Sequence, residues 1–297
     1  MSVSEPDLRR TWLFGPGDDA GAHAAMRRSG ADALILDLED FTPPERRPAA
    51  RAGLSDVFGG WRDAGLLVAV RINPLEGEGV DDLAAAMPAR PDVVALPMAE
   101  SVEQIEWLER LLSRWEDSLG VPPGATEILP VCETARGVVD ARGITGGSGR
   151  VRSAILGAED LAADLCAERS REAVELDYAR RRFVFECRAA GVEPVDAPFT
   201  FSDAEGAAAE ALFARRLGYR SKALVRPEHA RPVNEVFTPD VAAVRRAVVI
   251  VEAFDAARAR GEDRALVEGA WVEVPTYRNA QRLLDRARRL GVSGAPL

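Results

Sequence analysis

Histidine is nearly absent from this chain: His23 and His229 are the only two in 297 residues. That scarcity excludes His-rich metal centres and most Ser-His-Asp schemes, which need a histidine in a fixed role. Lysine is scarcer still. Lys222 is the single lysine, so a Schiff-base aldolase would have to use it. All other basic positions of this type are arginine, which stays charged and pairs bidentately with carboxylates and phosphates. The three cysteines, Cys132, Cys166 and Cys187, are odd in number and unevenly spaced. They make neither a zinc spacing nor a disulfide framework, and a reducing cytoplasm is the expected setting. No run of about 18 apolar residues occurs, so nothing reads as membrane-spanning. The opening stretch MSVSEPDLRRTW lacks the apolar core of a signal peptide. A formal net charge of −10 argues against a nucleic-acid partner, whose phosphates call for a basic surface.

What is present is an apolar rhythm. Hydrophobic residues make up 47% of the chain, enough for a large core. Short apolar segments begin at Thr11, Ala33, Leu66, Val93, Glu127, Ser153, Val192 and Lys222, and amphipathic stretches separate them. Near-continuous apolar strands alternating with helices predict a parallel sheet covered on both faces. Eight such units predict an α/β fold of the (β/α)₈ TIM-barrel type, which takes about 250 residues. A doubly wound sheet is the runner-up. It would want a Gly-rich phosphate turn, and FGPGDDAG imitates one poorly.

Helix punctuation agrees. SVEQIEWLERLLSRWEDSL opens on a Ser101 cap with Glu103 and Gln104 close by, and its Ile105, Leu108, Leu111 and Leu112 recur at helical spacing. DAEGAAAEALFARRLG runs from an Asp203 cap to a Gly218 stop. Two further helices are expected after the eighth strand. One stops at Gly261; the other starts near Pro275 and stops at Gly291. Residues 1–235 are therefore read as the barrel. Residues 236–297 are read as a C-terminal helical extension that packs on a neighbouring subunit, since barrel closure does not need them. No internal repeat, low-complexity segment or clear linker interrupts the rhythm.

A βα barrel keeps its chemistry at the C-terminal ends of its strands. Those ends carry Pro16 and Gly17, Glu39 and Asp40, Arg71 and Asn73, Pro97 and Glu100, Glu133, Glu159 and Asp160, Asp196, and Arg226 with His229. Packing alone does not choose so many acids and arginines there. Glu133 and Asp160 are the candidate metal ligands, because oxygen donors at successive strand ends suit a hard cation such as Mg²⁺. Either acid would also be at home as a first-turn helix charge. Glu39 and Asp40 are candidate catalytic acids that orient metal-bound water. Arg71 emerges from the apolar strand VAVRINP and needs an anionic partner, either a substrate carboxylate or Glu39 or Asp40. Arg10 is a candidate holder of an anionic substrate group. Gly17 and its neighbour Pro16 mark a place where backbone amides can approach a ligand.

These segments, in this order, resemble the citrate lyase β-subunit-like branch of the HpcH/HpaI aldolase superfamily. RRTWLFGPG, GADALILDLEDFTPPERRPAAR, VRINP, VALPMAES, LPVCETARG, LGAEDLAADL and LGYRSKALVRPEHARPVNEVFTP all have counterparts along nearly the whole chain. The resemblance implies a barrel that assembles into homotrimers or hexamers. It implies Mg²⁺ at Glu133 and Asp160, with substrate and water completing the shell, and Arg71 beside the substrate; Glu159, adjacent to Asp160, is a further candidate substrate-binding residue. The implied activity is a metal-dependent carbon–carbon lyase acting on a citryl-CoA- or malyl-CoA-like thioester, with acyl-CoA and a keto acid as products. Relatives acting on free pyruvate and aldehydes make an aldolase on free keto acids one alternative; a catalytically altered barrel serving as a binding subunit is another. A family Val-Asp-x-Pro motif, supplied by the adjacent subunit in some members, reads VEVP here and makes Glu273 the candidate acid or base. Met98 stands where the family commonly has lysine, and Arg226 where it has histidine. Both changes fall at the active-site end.

Overall fold

A computed structural model of the protein describes residues 5–292. Residues 1–4 and 293–297 lie outside the described residues, so the extreme ends of both expected segments and the start of MSVSEPDLRRTW do too. The described chain divides into two compact units, one ending at Asn234 and the other beginning at Glu235.

In the first unit, eight parallel strands follow the expected segments. They are β1 Thr11–Pro16, β2 Ala33–Asp37, β3 Leu67–Arg71, β4 Val93–Leu96, β5 Glu127–Cys132, β6 Ser153–Leu156, β7 Glu193–Val195 and β8 Lys222–Leu224. Each pairs with its sequence neighbour, and β1 also pairs with β8. A parallel bridge between Asp196 and Lys222 links the last pair. There the Asp196 N–H donates to Ser221 O and the Ala223 N–H to Asp196 O, each at 2.9 Å. The sheet thereby closes into a (β/α)₈ barrel. Strands β2, β3 and β4 are buried at every residue. Helices cover their outer face and the barrel lumen takes the inner one, which is why these strands read as unbroken apolar runs.

Alternation along each strand decides what enters the lumen. Trp12 and Phe14 of β1, Ala33 and Ile35 of β2, Leu67 and Ala69 of β3, Leu129 and Val131 of β5, and Ile155 of β6 form one buried apolar cluster. Two residues further along those strands come Asp37, Arg71, Glu133 and Gly157. The same period that fills the barrel with hydrocarbon therefore delivers polar groups to its upper rim.

The punctuation also holds. Helix Val102–Leu119 starts at Ser101, whose side chain and Gln104 form a reciprocal capping box. Helix Ala204–Leu217 starts at Asp203 and ends at Gly218, which takes the left-handed conformation at φ 110°. In the second unit, helices Val241–Ala259 and Val274–Arg289 match the two expected helices. A correction lies between them. Strands β9 Ala265–Val267 and β10 Ala270–Val272 form an antiparallel hairpin, so the extension is not purely helical. Its central residues Glu268 and Gly269 both have positive φ, at 50° and 78°, as a tight two-residue hairpin turn requires. Val267 and Val272 pack with Phe254, on which the Tyr277 ring stacks at 4.6 Å.

Candidate active site

A cavity of about 440 Å³ opens at the C-terminal ends of the strands of the first unit. Arg71, Asp40, Glu133, Glu159 and Asp160 line it, over a floor that includes Phe14, Val131 and Ile155.

Arg71 is the organising cation. It is buried, and Asp37, its register partner on β2, is fully buried beside it. The Arg71 Nε donates to Asp37 Oδ1 at 2.8 Å, and Nη2 donates to Asp37 Oδ2. Nη1 lies 2.8 Å from Glu39 Oε2 in a close ion pair, and Nη2 lies 3.1 Å from Asp40 Oδ2. The Phe14 ring lies 5.2 Å from the guanidinium carbon and the Phe41 ring 6.0 Å. Burial opposes the charge on Arg71. The Asp37 carboxylate and its hydrogen bonds, helped by Glu39 and Glu133, still hold it above the ordinary guanidinium range. This arginine is charged and fixed before any ligand arrives.

Glu133 follows β5 and is buried. Its Oε1 accepts the Met98 N–H at 2.8 Å. Met98 reaches that position in the left-handed region at φ 49°, which costs a side-chain-bearing residue roughly 1–2 kcal/mol. Gly157 at the end of β6 leaves room on the other side. A Cβ there would lie 2.3 Å from Glu133 Cβ and 3.1 Å from Glu133 Oε2, so no side chain fits. Burial pushes the Glu133 carboxyl up to about 7; Arg71 and the Met98 amide pull the other way, while Asp160 and Asp40 push it further up. Asp160, in the first turn of helix Glu159–Asp164, is raised by burial and then by Asp40. Glu39 is pushed up to about 8, first by burial and against the pull of Arg71.

Carboxylates that raise one another's pKa across a half-buried cavity are short of positive charge, and a dication answers that shortage. Among the described residues no group of three or more His, Cys, Asp or Glu is placed to hold a metal. Mg²⁺ is commonly bound through one or two carboxylates with water and substrate oxygens filling the rest. Glu133 and Asp160 fit that donor set.

Not every expected residue meets the cavity. Arg10 opens β1 at the opposite end of the strand, where it pairs with Asp32 at 2.7 Å; the expectation that it holds substrate is corrected on that ground. The Gly17 N–H donates to Thr42 Oγ1 at 2.7 Å, so this amide is already engaged, and neither Gly17 nor Pro16 lines the cavity. Glu159 does line it, with its Oε1 held by Thr200 Oγ1 at 2.7 Å and by Arg169. Lys222 starts β8, is fully buried, and lies 2.6 Å from Asp196 and 2.8 Å from Glu210. A side chain so buried and engaged presents no open nitrogen to a carbonyl, which argues against the Schiff-base route. Asp196 is likewise spoken for by Arg180 at 2.7 Å. The half-exposed Arg226 lies 3.6 Å from Glu228, and His229 is buried 3.4 Å from Ser202 O. Glu273 belongs to the second unit, exposed at the start of helix Val274–Arg289. Asp37, Phe14 and Gly157 were not among the expected site residues. Their signal was parity: each continues the inward-facing series of its strand.

A closed barrel with a buried arginine and paired carboxylates at its rim defines the class of metal-assisted α/β-barrel enzymes. Residues 10–227 match the family model described as HpcH/HpaI aldolase/citrate lyase. The chain belongs to this family, named for activities that make and break carbon–carbon bonds. It is 32% identical to citrate lyase subunit beta of Escherichia coli (strain K12), over 96% of this chain and 95% of that one. It is 30% identical to the L-malyl-CoA/beta-methylmalyl-CoA lyase of Cereibacter sphaeroides (strain ATCC 17029 / ATH 2.4.9), over 95% of each. Among solved structures it resembles the protein CitE from Mycobacterium tuberculosis in complex with magnesium, acetoacetate and coenzyme A. There the TM-score is 0.74 at 27% identity, over 97% of this chain and 100% of that one. No helix among the described residues is long and apolar enough to cross a membrane.

Proposed function

We propose that this chain is a Mg²⁺-dependent carbon–carbon lyase that splits a 3-hydroxy acyl thioester, of the citryl-CoA or malyl-CoA kind, into an acyl-CoA and a keto acid. The observation that carries the reading is the meeting of Glu133, Asp160 and Arg71 in one cavity at the strand ends. The names of the relatives support it, as does the magnesium in the solved M. tuberculosis protein.

In cleavage, the bond between the thioester α-carbon and the carbinol carbon breaks. The carbinol hydroxyl gives up its proton and becomes the keto oxygen, and the α-carbon gains a proton. Glu133 and Asp160 would hold the cation, which would supply Lewis acidity at the forming carbonyl. Arg71, fixed by Asp37, directs N–H groups toward the oxygen that gathers charge, with little reorganisation left to do. Glu39, whose carboxyl burial pushes up to about 8, stands with Asp40 on the Arg71 guanidinium as the group placed to take or give a proton. Glu159 lies beside the bound substrate. Glu273, contributed by a neighbouring subunit, is assigned the proton transfer at the α-carbon.

The test follows acetyl- or propionyl-CoA release from malyl-, citramalyl- and citryl-CoA, with Mg²⁺ and with EDTA. Turnover that needs the metal is expected. Turnover indifferent to EDTA, or none with any of the three, removes the reading. The same proposal makes the protein a cytoplasmic homotrimer or hexamer whose residues 236–297 pack on a neighbouring subunit. Light scattering reads this directly: the mass of three or six chains is expected, and a monomer sinks it.

A further inference from the structure

The cavity has to admit an anion past an acidic rim. Asp40, Glu133, Glu159 and Asp160 line it, and Arg71 is the only cation among its described lining residues. Mg²⁺ would answer the charge of Glu133 and Asp160, and Arg71 pairs with Asp37, Glu39 and Asp40. Glu159 is left over, half-exposed and paired with neither. Its counterion lies behind the wall. Arg169, in the segment joining helices Glu159–Asp164 and Asp177–Ala190, is outside the cavity lining. Its Nε donates to Glu159 Oε1 at 3.1 Å, and the Thr200 hydroxyl, from the segment after β7, donates to the same oxygen at 2.7 Å.

Arg169 is itself fixed. Its Nη1 donates to Glu175 Oε1 at 2.7 Å and to Ser170 O at 2.8 Å, and the Phe201 ring lies 5.9 Å from its guanidinium carbon. The buried Glu175 side chain also accepts the Ser170 N–H at 3.1 Å and the Ser170 hydroxyl at 2.6 Å. Burial opposes the charge on Glu175, yet these bonds hold its carboxyl down to about 2. One guanidinium thus joins two carboxylates through different nitrogens, a grip that a single ammonium does not reproduce.

We propose that Arg169 is a positioning residue for ligand entry: it holds the Glu159 carboxylate against Thr200 and offsets its charge, so that the cavity wall accepts a keto-acid carboxylate. The inference rests on the lyase reading above and deepens it. Arg169 acts only through Glu159. Without it Glu159 keeps its charge, is free to swing, and meets the incoming anion uncompensated. The same loss favours a cation. A substitution at Arg169 should therefore move anion and cation binding in opposite senses, which a loss of local structure would not do.

The experiment titrates Mg²⁺ into the metal-free protein, and pyruvate into the Mg²⁺-loaded protein, calorimetrically. Arg169→Met is expected to weaken pyruvate about fivefold, the upper scale for an ion pair at a half-exposed carboxylate. Mg²⁺ should bind at least as tightly as in the wild type. Adding Glu159→Gln removes the charge that Arg169 offsets, and pyruvate affinity should return to within about twofold of the wild type. Where a thioester is cleaved, the loss in Arg169→Met should fall on KM, with kcat nearly unchanged. Unchanged pyruvate affinity in Arg169→Met overturns the proposal, as does a wild type that binds no pyruvate. A joint weakening of pyruvate and Mg²⁺ overturns it too, since that marks a structural role. Arg169→Lys takes the place of Arg169→Met should the latter fail to fold. It loses the two-point grip and should weaken pyruvate at least about twofold, again relieved by Glu159→Gln; unchanged affinity overturns the proposal. Thioester cleavage decides the lyase reading separately, and its failure leaves both titrations in force.

Discussion

Glu133→Gln is expected to lower kcat/KM on the order of 10³-fold and to abolish measurable Mg²⁺ binding. The metal's Lewis acidity is worth several kcal/mol, and each 1.36 kcal/mol is about tenfold in rate. Glutamine keeps the volume and an oxygen that accepts the Met98 N–H. It removes the negative charge. Asp160 is then the one carboxylate left of the pair, open to solvent and therefore better hydrated. Isothermal titration with Mg²⁺ alone separates loss of metal from loss of chemistry. A Glu133→Gln protein that binds Mg²⁺ with wild-type affinity would refute the ligand assignment.

The pH dependence of the same variant has a definite sign. The folded-state pKa of Glu133 is about 7, raised from an ordinary 4.5. A carboxyl so raised favours the fold fully below its unfolded pKa, and that favour is lost as pH rises through 7. Metal-free wild type should therefore lose stability between about pH 5 and 8 relative to Glu133→Gln, whose amide does not titrate. Calorimetry at the two ends reads the difference, and a wild type that gains stability relative to Glu133→Gln toward pH 8 contradicts it. Mg²⁺ reverses the comparison. It competes with the Glu133 proton, so its apparent affinity should fall by up to about tenfold per pH unit below 7. Its stabilisation of the wild type should accordingly be larger at pH 8 than at pH 6.

The barrel was legible because its strands are covered on both faces and so read as eight apolar runs, and the missing Gly-rich phosphate turn weighed against a doubly wound sheet. The meeting of Glu133 and Asp160 in one cavity was legible for a related reason: each acid follows an apolar run at a strand's C-terminal end. Asp37 was not legible. It sits inside LILDLED, where three acids fall within four residues, and only the β2–β3 register shows that it, rather than Glu39 or Asp40, forms the bidentate pair with Arg71. Arg10 failed differently. Its place before β1 already put it at the far end of the strand, but its partner Asp32 lies across β1 and β2 and leaves no local trace. The hairpin β9–β10 escaped because three-residue strands hold too few positions for alternation to show. Local pattern specified elements and strand ends. Cross-strand partners had to await the fold.

The Arg71–Asp37 pair separates folding from chemistry. Arg71→Met is expected to destabilise the protein by about 3–5 kcal/mol, because the fully buried Asp37 is left as an unpaired charge. It should also cost at least about 10²–10³-fold in kcat/KM, the usual scale for removing a fixed donor to developing negative charge. Adding Asp37→Asn to Arg71→Met removes the stranded charge. Denaturant unfolding should then recover most of the lost stability, since replacing both partners of a buried pair is far cheaper than removing one. Activity should not recover, because a neutral amide at the end of β2 cannot stand in for a guanidinium facing the cavity. Arg71→Lys completes the argument. It keeps one positive charge but loses the two-point grip on Asp37, so the ammonium is free to turn toward Glu39 or Asp40. A loss mainly in kcat, with a smaller fall in the unfolding midpoint than Arg71→Met shows, is the expected signature of a donor no longer held in place. If the double variant regains both stability and turnover, Arg71 serves only to neutralise Asp37, and the proposed charge stabilisation must come from another group.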